Sequence, residues 1–298
     1  MRVADAAALV PVSLAERMAG LEAEGGPTGA DWVAALPHLL ADVLEEWSLE
    51  VDGPAMAGQC ALVLPVRGPE GRAALKLGWP HAEAEGEHLA LRAWDGRSAV
   101  RLLGADPRRT VLLLELLTTQ DLTDLWDEEA VAVVAGLYAD LHMAPLPQVP
   151  SLAPWIWQIL SRPAAERLPR QVVEQARSTL RSVEGGQVRL LHGDLHYANV
   201  LSDGTDWVAI DPKPVNGHPA WEVAPLLWNR AEEMGTGASL RWSVRRRVDI
   251  ACAVAGFDEE VVRPVCALRE VVNAVRAVED GDQDRVSLAI SLVKALGS

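Results

Sequence analysis

The sequence predicts an α+β protein made of a small β-sheet with one main helix, followed by a larger part that is mainly helical. Four short apolar runs before residue 118 have the length of strands and are separated by Gly, Pro and Asp. One helical stretch lies between the second and third of these runs. Beyond residue 117, apolar residues recur at spacings of three and four over long segments, which is the pattern of amphipathic helices.

Three regions follow from this pattern. Residues 1–50 are predicted to form an N-terminal helical segment, in which Asp31–Trp47 has the clearest helical periodicity. Residues 51–117 are predicted to form a sheet-containing lobe in the order strand, strand, helix, strand, strand. The predicted strands are Cys60–Val66, Ala73–Leu77, Val100–Leu103 and Val111–Leu117, and the helix is Glu83–Trp94. The Gly and Pro of the connector Arg67–Arg72 indicate a hairpin between the first two strands.

Residues 118–298 are predicted to form a helical lobe. A helix over Glu128–Met143 ends before Pro145, and further helices are expected over 164–183 and 221–298. Two short apolar runs, Gln187–Leu191 and Val208–Ile210, are interpreted as buried strands. They flank the most polar motif of the chain.

The composition limits the possible partners. With 298 residues, 49% of them hydrophobic, the chain is long enough for one large domain or two lobes. Its net charge of −15 disfavours nucleic acid and suits a neutral or cationic small molecule. The one dense basic run, Arg241–Arg247, is interpreted as the solvated start of a helix.

The sequence also indicates where the protein resides. No run of eighteen apolar residues is present, which excludes a membrane-spanning helix. Residues 1–17 lack the features of a signal peptide, and the three cysteines show no C-x-x-C spacing. We therefore expect a cytoplasmic protein that binds no membrane and is a monomer or weak dimer.

The polar motif Leu191–Leu201 reads LHGDLHYANVL. Asp194 follows His192 by two positions and Asn199 follows Asp194 by five, which is the H-x-D-x-x-x-x-N spacing of a kinase catalytic loop. Phosphoryl transfer needs a carboxylate for the acceptor hydroxyl and side-chain oxygens for a metal ion. Asp211, directly after the apolar run WVAI, supplies a further carboxylate at the end of a predicted strand.

A second pair of charged residues lies upstream. Lys76 interrupts the otherwise apolar strand AALKL, and Glu87 lies in the helix that follows. A strand lysine paired with a glutamate on the next helix is the arrangement that fixes a phosphate-binding lysine in kinases. By itself Lys76 would be interpreted as a solvated strand lysine. Its order before Glu87, Asp194, Asn199 and Asp211 makes the kinase interpretation the stronger one.

Two alternatives remain open at this point. His192, Asp194 and His196 could bind a transition metal in a hydrolase, although Gly193 and the preceding strand favour a loop in which His192 only bonds the backbone. A nucleotide-binding pseudokinase is the other alternative. Such proteins usually lack one of the essential groups, and here none is missing.

The chain resembles a known family over almost its whole length. The segments that carry the resemblance are LHGDLHYANVL, WVAIDPKPVNGHPAWEVAPLL, AALKLGWP, LLLELL and RRRVDI. They are similar to those of the aminoglycoside phosphotransferase superfamily, and more narrowly to its streptomycin 6-kinase and hydroxyurea-resistance kinase branch. The resemblance implies a protein-kinase-like two-lobe fold that uses ATP and Mg²⁺ to phosphorylate a hydroxyl of a small molecule, expected here to be cationic.

The resemblance also implies roles for particular residues. Asp194 would be the catalytic base, with Asn199 and Asp211 as magnesium ligands. Lys76, paired with Glu87, would contact the α- and β-phosphates of ATP. The backbone of the segment from Glu115 to Leu117 would form the hinge that meets adenine.

Some features depart from protein kinases. A glycine-rich phosphate loop is absent, and Asp211-Pro212-Lys213 stands where protein kinases have Asp-Phe-Gly, which argues against a protein substrate. Glu222 stands where relatives often carry Asp. The acids considered for a cationic acceptor surface are Glu222, Glu270, Glu279, Asp280 and Asp282. The aromatic residues considered for ligand stacking are Trp155, Trp157, Trp221 and Trp228.

Overall fold

The structure, a computed structural model, describes residues 2–22 and 26–297. The chain forms two compact units. The first lies within residues 1–119 and 202–206, and the second comprises residues 120–201 and 207–298. The helical segment predicted over residues 1–50 includes residues 1 and 23–25, which lie outside the described residues.

Three helices precede the sheet of the first unit: α1 (Val3–Ala7), α2 (Val12–Met18) and α3 (Gly29–Glu46). Helix α3 begins after Thr28, whose hydroxyl accepts a hydrogen bond from the Asp31 N–H at 3.1 Å. One face of α3 is buried by residues at helical spacing. They are Trp32, Leu36, Leu40, Val43 and Leu44, and they join the sheet residues in one hydrophobic core. The helical character predicted for this region is therefore confirmed for the described residues.

The sheet of the first unit is antiparallel and has six strands. The strands are β1 (Glu50–Val51), β2 (Met56–Ala57), β3 (Ala61–Gly68), β4 (Gly71–Gly78), β5 (Leu102–Asp106) and β6 (Val111–Glu115). Their order is β1-β3-β4-β6-β5, and β2 also pairs with β3. From Ala73 to Gly78, β4 is buried at every position, because it is a central strand with both faces covered. This burial puts Lys76 in an environment that excludes most water.

Several boundaries in the first unit differ from the predictions, and the two-residue strands β1 and β2 were not predicted. Helix α4 (Glu87–Trp94) begins four residues later than predicted, after a short 3-10 helix (Ala82–Ala84) and Gly86. The third predicted strand, Val100–Leu103, lies at Leu102–Asp106 instead, and β6 ends at Glu115. The four predicted strands and the helix occur in the predicted order, as β3, β4, α4, β5 and β6, after the unpredicted β1 and β2.

The second unit is mainly helical, as predicted. Its helices are α5 (Asp127–Leu141), α6 (Leu152–Leu160), α7 (Arg170–Val183), α8 (Pro225–Trp228), α9 (Ala238–Ala255), α10 (Glu259–Asp280) and α11 (Gln283–Leu296). Helix α10 is central and packs against α6, α7, α9 and α11. Among the described residues, no helix combines the length and the apolar character that crossing a membrane would require.

Four short strands lie between α7 and α8. They are β7 (Arg189–Leu191), β8 (Val200–Ser202), β9 (Trp207–Ala209) and β10 (Val215–Gly217). Strand β7 pairs antiparallel with β10, and β8 pairs with β9. The sequence predicted β7 and β9, which overlap the apolar runs Gln187–Leu191 and Val208–Ile210, but missed β8 (VLS) and β10 (VNG), whose polar residues and glycine interrupt any apolar run.

The basic run Arg241–Arg247 is not wholly solvated, so that interpretation was wrong for its last residue. Arg247 is 1% exposed. Its guanidinium forms a bidentate ion pair with Asp127 at 2.8 and 3.0 Å, and donates to the carbonyls of Leu226 at 2.6 Å and Asn229 at 2.8 Å. Helical spacing turns Arg247 towards α5 and α8, on the same face as the buried Val244, while Arg241, Arg245 and Arg246 are exposed.

Candidate active site

In the first unit, Lys76 and Glu87 form a buried ion pair. The Lys76 Nζ lies 2.6 Å from Glu87 Oε1, and the two side chains are 10% and 7% exposed. Glu87 occupies the first turn of α4, where the helix dipole favours a carboxylate. The structure thus brings these two predicted site residues together. The opposite charges of the pair offset part of the cost of burying these two side chains.

The predicted hinge segment begins where β6 ends. Glu115 exchanges two hydrogen bonds with Arg101: its N–H donates to the Arg101 carbonyl at 3.0 Å, and its carboxylate accepts from the Arg101 N–H at 2.7 Å. Glu115 is the last residue of β6, and residues 116 and 117 follow it outside the sheet; all three are half-buried. The Glu115 carboxylate is thus bonded to the backbone of its own unit. Contact of adenine with the backbone from Glu115 to Leu117 stays a prediction.

In the second unit, the motif Leu191–Leu201 forms a loop between β7 and β8. Gly193 has a φ of +84°. A Cβ atom at this position would lie 2.0 Å from the Lys213 carbonyl oxygen, so only glycine fits. The Lys213 N–H in turn donates to the His192 carbonyl at 2.8 Å. The loop and the Asp-Pro-Lys segment are therefore packed backbone against backbone.

The ring of His192 bonds the backbone at both nitrogens. Nδ1 accepts from the Asp194 N–H at 3.3 Å, which leaves the proton on Nε2 to be donated to the Ile210 carbonyl at 2.9 Å. Burial lowers the pKa of His192, so the ring is neutral near pH 7. With both nitrogens in use, His192 is not a metal ligand, and the hydrolase alternative loses one of its three groups.

Glu222, in the 3-10 helix Pro219–Val223, anchors this loop. Its carboxylate is fully buried and accepts from two consecutive backbone N–H groups, those of His192 and Gly193, both at 2.9 Å. Burial alone raises the pKa of Glu222, but the His142 imidazole at 3.9 Å and the Arg269 guanidinium outweigh it, and the pKa lies below its usual range. The group is an ion with its oxygens facing the loop.

Asp194 is half-buried beside two basic side chains. Lys213 donates from Nζ to Asp194 Oδ2 at 2.8 Å, and His196 Nε2 lies 4.0 Å from the same oxygen. Burial raises the pKa of Asp194, yet Lys213 and His196 outweigh it, so the pKa lies below its usual range. The carboxyl is therefore ionised at neutral pH and can accept a proton.

Asn199 and Asp211 are held near Asp194 by backbone hydrogen bonds. The Asn199 amide donates from Nδ2 to the Asp194 carbonyl at 2.8 Å, which leaves its Oδ1 as an acceptor for another group. The Ile210 N–H donates to the Asn199 carbonyl at 2.9 Å, and Asp211 follows with a φ of +56°. An amide oxygen and a carboxylate are hard ligands of the kind Mg²⁺ prefers, with water completing its shell. These residues fit such an ion.

Two residues of this site were missed or misjudged from sequence. Lys213 was seen only as part of a departure from Asp-Phe-Gly, and no pattern signals that its ammonium bonds Asp194. Glu222 was considered for an acceptor surface, which is wrong because it is fully buried. The available signal was the resemblance, in which relatives often carry Asp at this position, and it left a role in anchoring the loop open. The role of a carboxylate at this position can be recognised only when its hydrogen-bond partners, which are distant in sequence, are known.

The other acids considered for an acceptor surface also have structural partners. Glu270 is 1% exposed, which removes it from any surface. Glu279 pairs with Arg162 at 2.8 Å, and Asp280 lies 3.3 Å from Arg285. Asp282 caps α11 by accepting from a backbone N–H. Three of these acids thus take part in ion pairs or in a helix cap.

The tryptophans considered for ligand stacking contact arginines of the same chain. The Arg269 guanidinium carbon lies 4.9 Å from the ring centroids of both Trp221 and Trp228. Trp155 lies beside Arg276 at 5.9 Å and Trp157 beside Arg181 at 5.8 Å. Trp221 is buried, so stacking on a ligand is excluded for it.

Comparison with known proteins identifies the class of this chain. Residues 46–281 match the model of the aminoglycoside/hydroxyurea antibiotic resistance kinase family. The chain belongs to this family and is therefore a phosphotransferase. The resemblance seen in the sequence is confirmed at the level of the branch.

Two relatives align along most of the chain. A hydroxyurea phosphotransferase of Kitasatospora aureofaciens is 41% identical over 87% of this chain and 78% of its own length. A streptomycin 6-kinase of Streptomyces glaucescens is 35% identical over 91% of this chain and 92% of its own. The chain thus shares substantial identity with kinases of two differently named activities.

The predicted fold class is confirmed by solved structures. A thermostable mutant of the aminoglycoside phosphotransferase APH(4)-Ia, in a ternary complex with ADP and hygromycin B, superimposes with a TM-score of 0.59. The match covers 86% of this chain and 96% of that one, at 14% sequence identity. At this identity the likeness shows the fold alone.

Replacing Glu270 by Gln is expected to stabilise the protein at pH 8 but not at pH 5. Burial raises the pKa of Glu270 to about 8 from its usual 4.5, against the opposing effects of Arg269 and of a hydrogen bond from the Asn273 side chain, and the Oε1 atom of its carboxyl has no hydrogen-bond partner among the described residues. The contribution of the protonated Glu270 to the free energy of unfolding is fully present below pH 4.5. It is lost as the pH rises through 8, because between these two pH values the Glu270 carboxyl ionises in the unfolded chain but stays protonated in the folded one. E270Q cannot ionise and removes this loss.

Thermal melting of wild type and E270Q at pH 5 and pH 8 checks this expectation. E270Q should melt about 3 °C or more above wild type at pH 8, with a difference near zero at pH 5. Glu279→Gln, on the same helix in a half-exposed ion pair, is the control for removing one carboxylate. An equal shift at both pH values would contradict the assignment of a buried, protonated Glu270.

Proposed function

We propose that the chain transfers the γ-phosphoryl group of ATP, with Mg²⁺, to a hydroxyl of an aminoglycoside. The observation that carries the proposal is the ionised Asp194 on a loop held by Glu222 and His192, with the Asn199 amide bonded to the Asp194 carbonyl. The spacing of this motif is that of phosphoryl-transfer enzymes. ATP is supplied in the cytoplasm, where we place the enzyme as a monomer or weak dimer.

Asp194 is the proposed catalytic base. The acceptor hydroxyl oxygen attacks the γ-phosphorus, its proton passes to the Asp194 carboxylate, and the bond to the bridging oxygen breaks to release ADP. The lowered pKa of Asp194 supports this role, since the group is a carboxylate before the reaction starts. Lys213, at 2.8 Å, offsets its charge in a half-buried site.

Asn199 and Asp211 are the proposed holders of magnesium, through the Asn199 Oδ1 and the Asp211 carboxylate. When bound, the ion neutralises phosphate charge during transfer. The support is the donor set together with the backbone bonds that fix both residues next to the Asp194 loop. The positive φ of Asp211 is a strained conformation of the kind that functional sites retain.

Lys76 is the proposed contact to the α- and β-phosphates, with Glu87 holding its ammonium. The 2.6 Å ion pair on a buried strand supports this role, because the fold then determines where the charge lies. The backbone of Glu115–Leu117 is the proposed contact to adenine. Its support is that this segment begins at the last residue of β6 and continues beyond the sheet.

Streptomycin is the first acceptor we propose, because the family and the streptomycin 6-kinase relative act on this class. The net charge of −15 suits a cationic acceptor. Hydroxyurea is the second candidate, favoured by the 41% identity to a hydroxyurea phosphotransferase. An amino sugar or another small metabolite is the remaining alternative.

Replacing Asp194 by Asn should lower kcat about 100- to 10,000-fold, because the acceptor proton loses its base. Nucleotide affinity should stay within about twofold, since Asp194 is not a proposed nucleotide ligand. A coupled assay for ADP release and a nucleotide titration measure the two quantities. Asp249→Asn, an exposed site on α9, is the matched control. Turnover of D194N equal to that of D249N would refute the base role.

Replacing Asp211 by Asn should shift the magnesium dependence of the reaction. Loss of a carboxylate ligand weakens the binding of a hard cation, so the Mg²⁺ concentration for half-maximal activity should rise about tenfold or more. Activity is measured against Mg²⁺ at fixed ATP for wild type, D211N and D249N. A D211N curve that superimposes on the wild-type curve would argue against coordination by Asp211.

An acceptor panel tests the substrate proposal. Streptomycin, a second aminoglycoside, an amino sugar and hydroxyurea are each incubated with enzyme, ATP and Mg²⁺, and products are identified by mass spectrometry. Streptomycin should gain one phosphoryl group, with the highest kcat/KM of the panel. Phosphorylation of hydroxyurea alone would select the second candidate. If no acceptor of a broad hydroxyl panel is phosphorylated, a pseudokinase becomes the better interpretation.

A further inference from the structure

A buried arginine contacts the peptide bond that precedes Asp194. Arg269 lies on α10 and is 8% exposed. Its guanidinium donates from Nη2 to the Gly193 carbonyl at 2.7 Å and from Nη1 to the Trp221 carbonyl at 2.9 Å. It is thus bonded to the residue before Asp194 and to the residue before Glu222.

The peptide that joins Gly193 to Asp194 is held at both of its polar groups. Its carbonyl accepts from Arg269, and its N–H donates to His192 Nδ1 at 3.3 Å. The Gly193 N–H is bound separately by Glu222 at 2.9 Å. Because the Asp194 Cα is attached directly to this peptide, a rotation of the peptide plane would move the Asp194 carboxylate.

The side chain suited to this position is an arginine. A guanidinium offers several donors in a rigid plane and stacks on aromatic faces, whereas a lysine has one small charged nitrogen. Here the plane spans two carbonyls while Trp221 and Trp228 contact its guanidinium at 4.9 Å each. The rings limit the movement of the guanidinium, so both hydrogen bonds have a fixed direction.

Stability alone does not require a charge at this position. Burying a guanidinium is costly, and apolar residues of similar volume often replace buried ionic groups without loss of stability. Burial lowers the pKa of Arg269, while the nearby carboxylates of Glu222 and Asp194 favour its charged form. A charge buried against this peptide therefore serves the geometry of the loop.

We propose that Arg269 is a positioning residue for phosphoryl transfer, which fixes the peptide plane before Asp194 and thereby the direction of the catalytic carboxylate. The inference rests on the proposed role of Asp194. Arg269 contacts the backbone of the loop and none of the proposed reacting atoms. Its loss should therefore affect the chemical step and leave nucleotide binding in place.

Kinetics of Arg269→Met and Arg269→Lys provide the first test. We expect kcat per folded molecule to fall about 10- to 100-fold in R269M, because a small displacement of a catalytic group has effects of this size. The KM for ATP should stay within about twofold. The kcat of R269K should fall about tenfold, since a lysine ammonium does not reproduce the two planar N–H donors of the guanidinium. Arg263→Met on the same helix, which loses bonds to the Leu296 carbonyl, is the control.

Hydrogen exchange of the loop provides a readout that a general loss of stability does not reproduce. Amides of residues 191–196 should exchange about tenfold faster in R269M than in R263M, while the rest of the second unit exchanges at equal rates. Unchanged exchange in the loop, or a kcat per folded molecule within twofold of wild type, would overturn the proposal. If R269M does not fold, R269K decides by the same two measurements.

The D194N variant separates this inference from the proposed function. Full turnover by D194N would refute the base role of Asp194, and loop exchange would then decide alone whether Arg269 orders the peptide. A strong loss in D194N together with normal kcat and normal exchange in R269M would leave the proposed function intact and refute the role of Arg269.

Discussion

The conformation of the candidate catalytic loop depends on one buried carboxylate, that of Glu222. It accepts from two consecutive backbone N–H groups, those of His192 and Gly193, which have no strand partner at this turn. A buried N–H without an acceptor costs about 1–3 kcal/mol, so the loop keeps this path only while Glu222 is ionised and in place. The same backbone conformation gives Gly193 its positive φ and lets both ring nitrogens of the neutral His192 bond the backbone. Asp194 is the next residue of this loop.

Charge balance around this loop is local. The carboxylates of Glu222 and Asp194 lie close to the cations of Arg269 and Lys213, which donate to the loop backbone and to Asp194 respectively. In a partly dehydrated site, opposite charges stabilise each other more strongly than at the surface. Removing one partner leaves the other buried and uncompensated, which is why single changes here are expected to act beyond the atom they remove.

Predictions from sequence succeeded where local pattern and structure coincide. The hairpin of β3 and β4 and the helix α4 follow from apolar runs and turn residues. Strands β8 and β10 were missed because Ser202, Asn216 and Gly217 interrupt their apolar residues, whereas β7 and β9 overlap continuous apolar runs. Strand β10 is fixed by pairing with β7, which is distant in sequence. The helix predicted from Glu83 begins at Glu87. The residues before it form a short 3-10 helix, Ala82–Ala84, which has a similar sequence preference, and Gly86 separates it from α4.

The order and kind of the polar groups, from Lys76 and Glu87 to the motif of Asp194 and Asn199, could be read from the amino-acid sequence. The spacing of residues within one loop, and the helix or strand to which each residue belongs, are local properties that need no coordinates. Which charged residues turn inward became clear from the folded chain. Glu222, counted among possible surface acids, is fully buried, and Lys213 bonds Asp194. The physical reason is that the partner of a charge, often far along the chain, determines whether burying it is affordable.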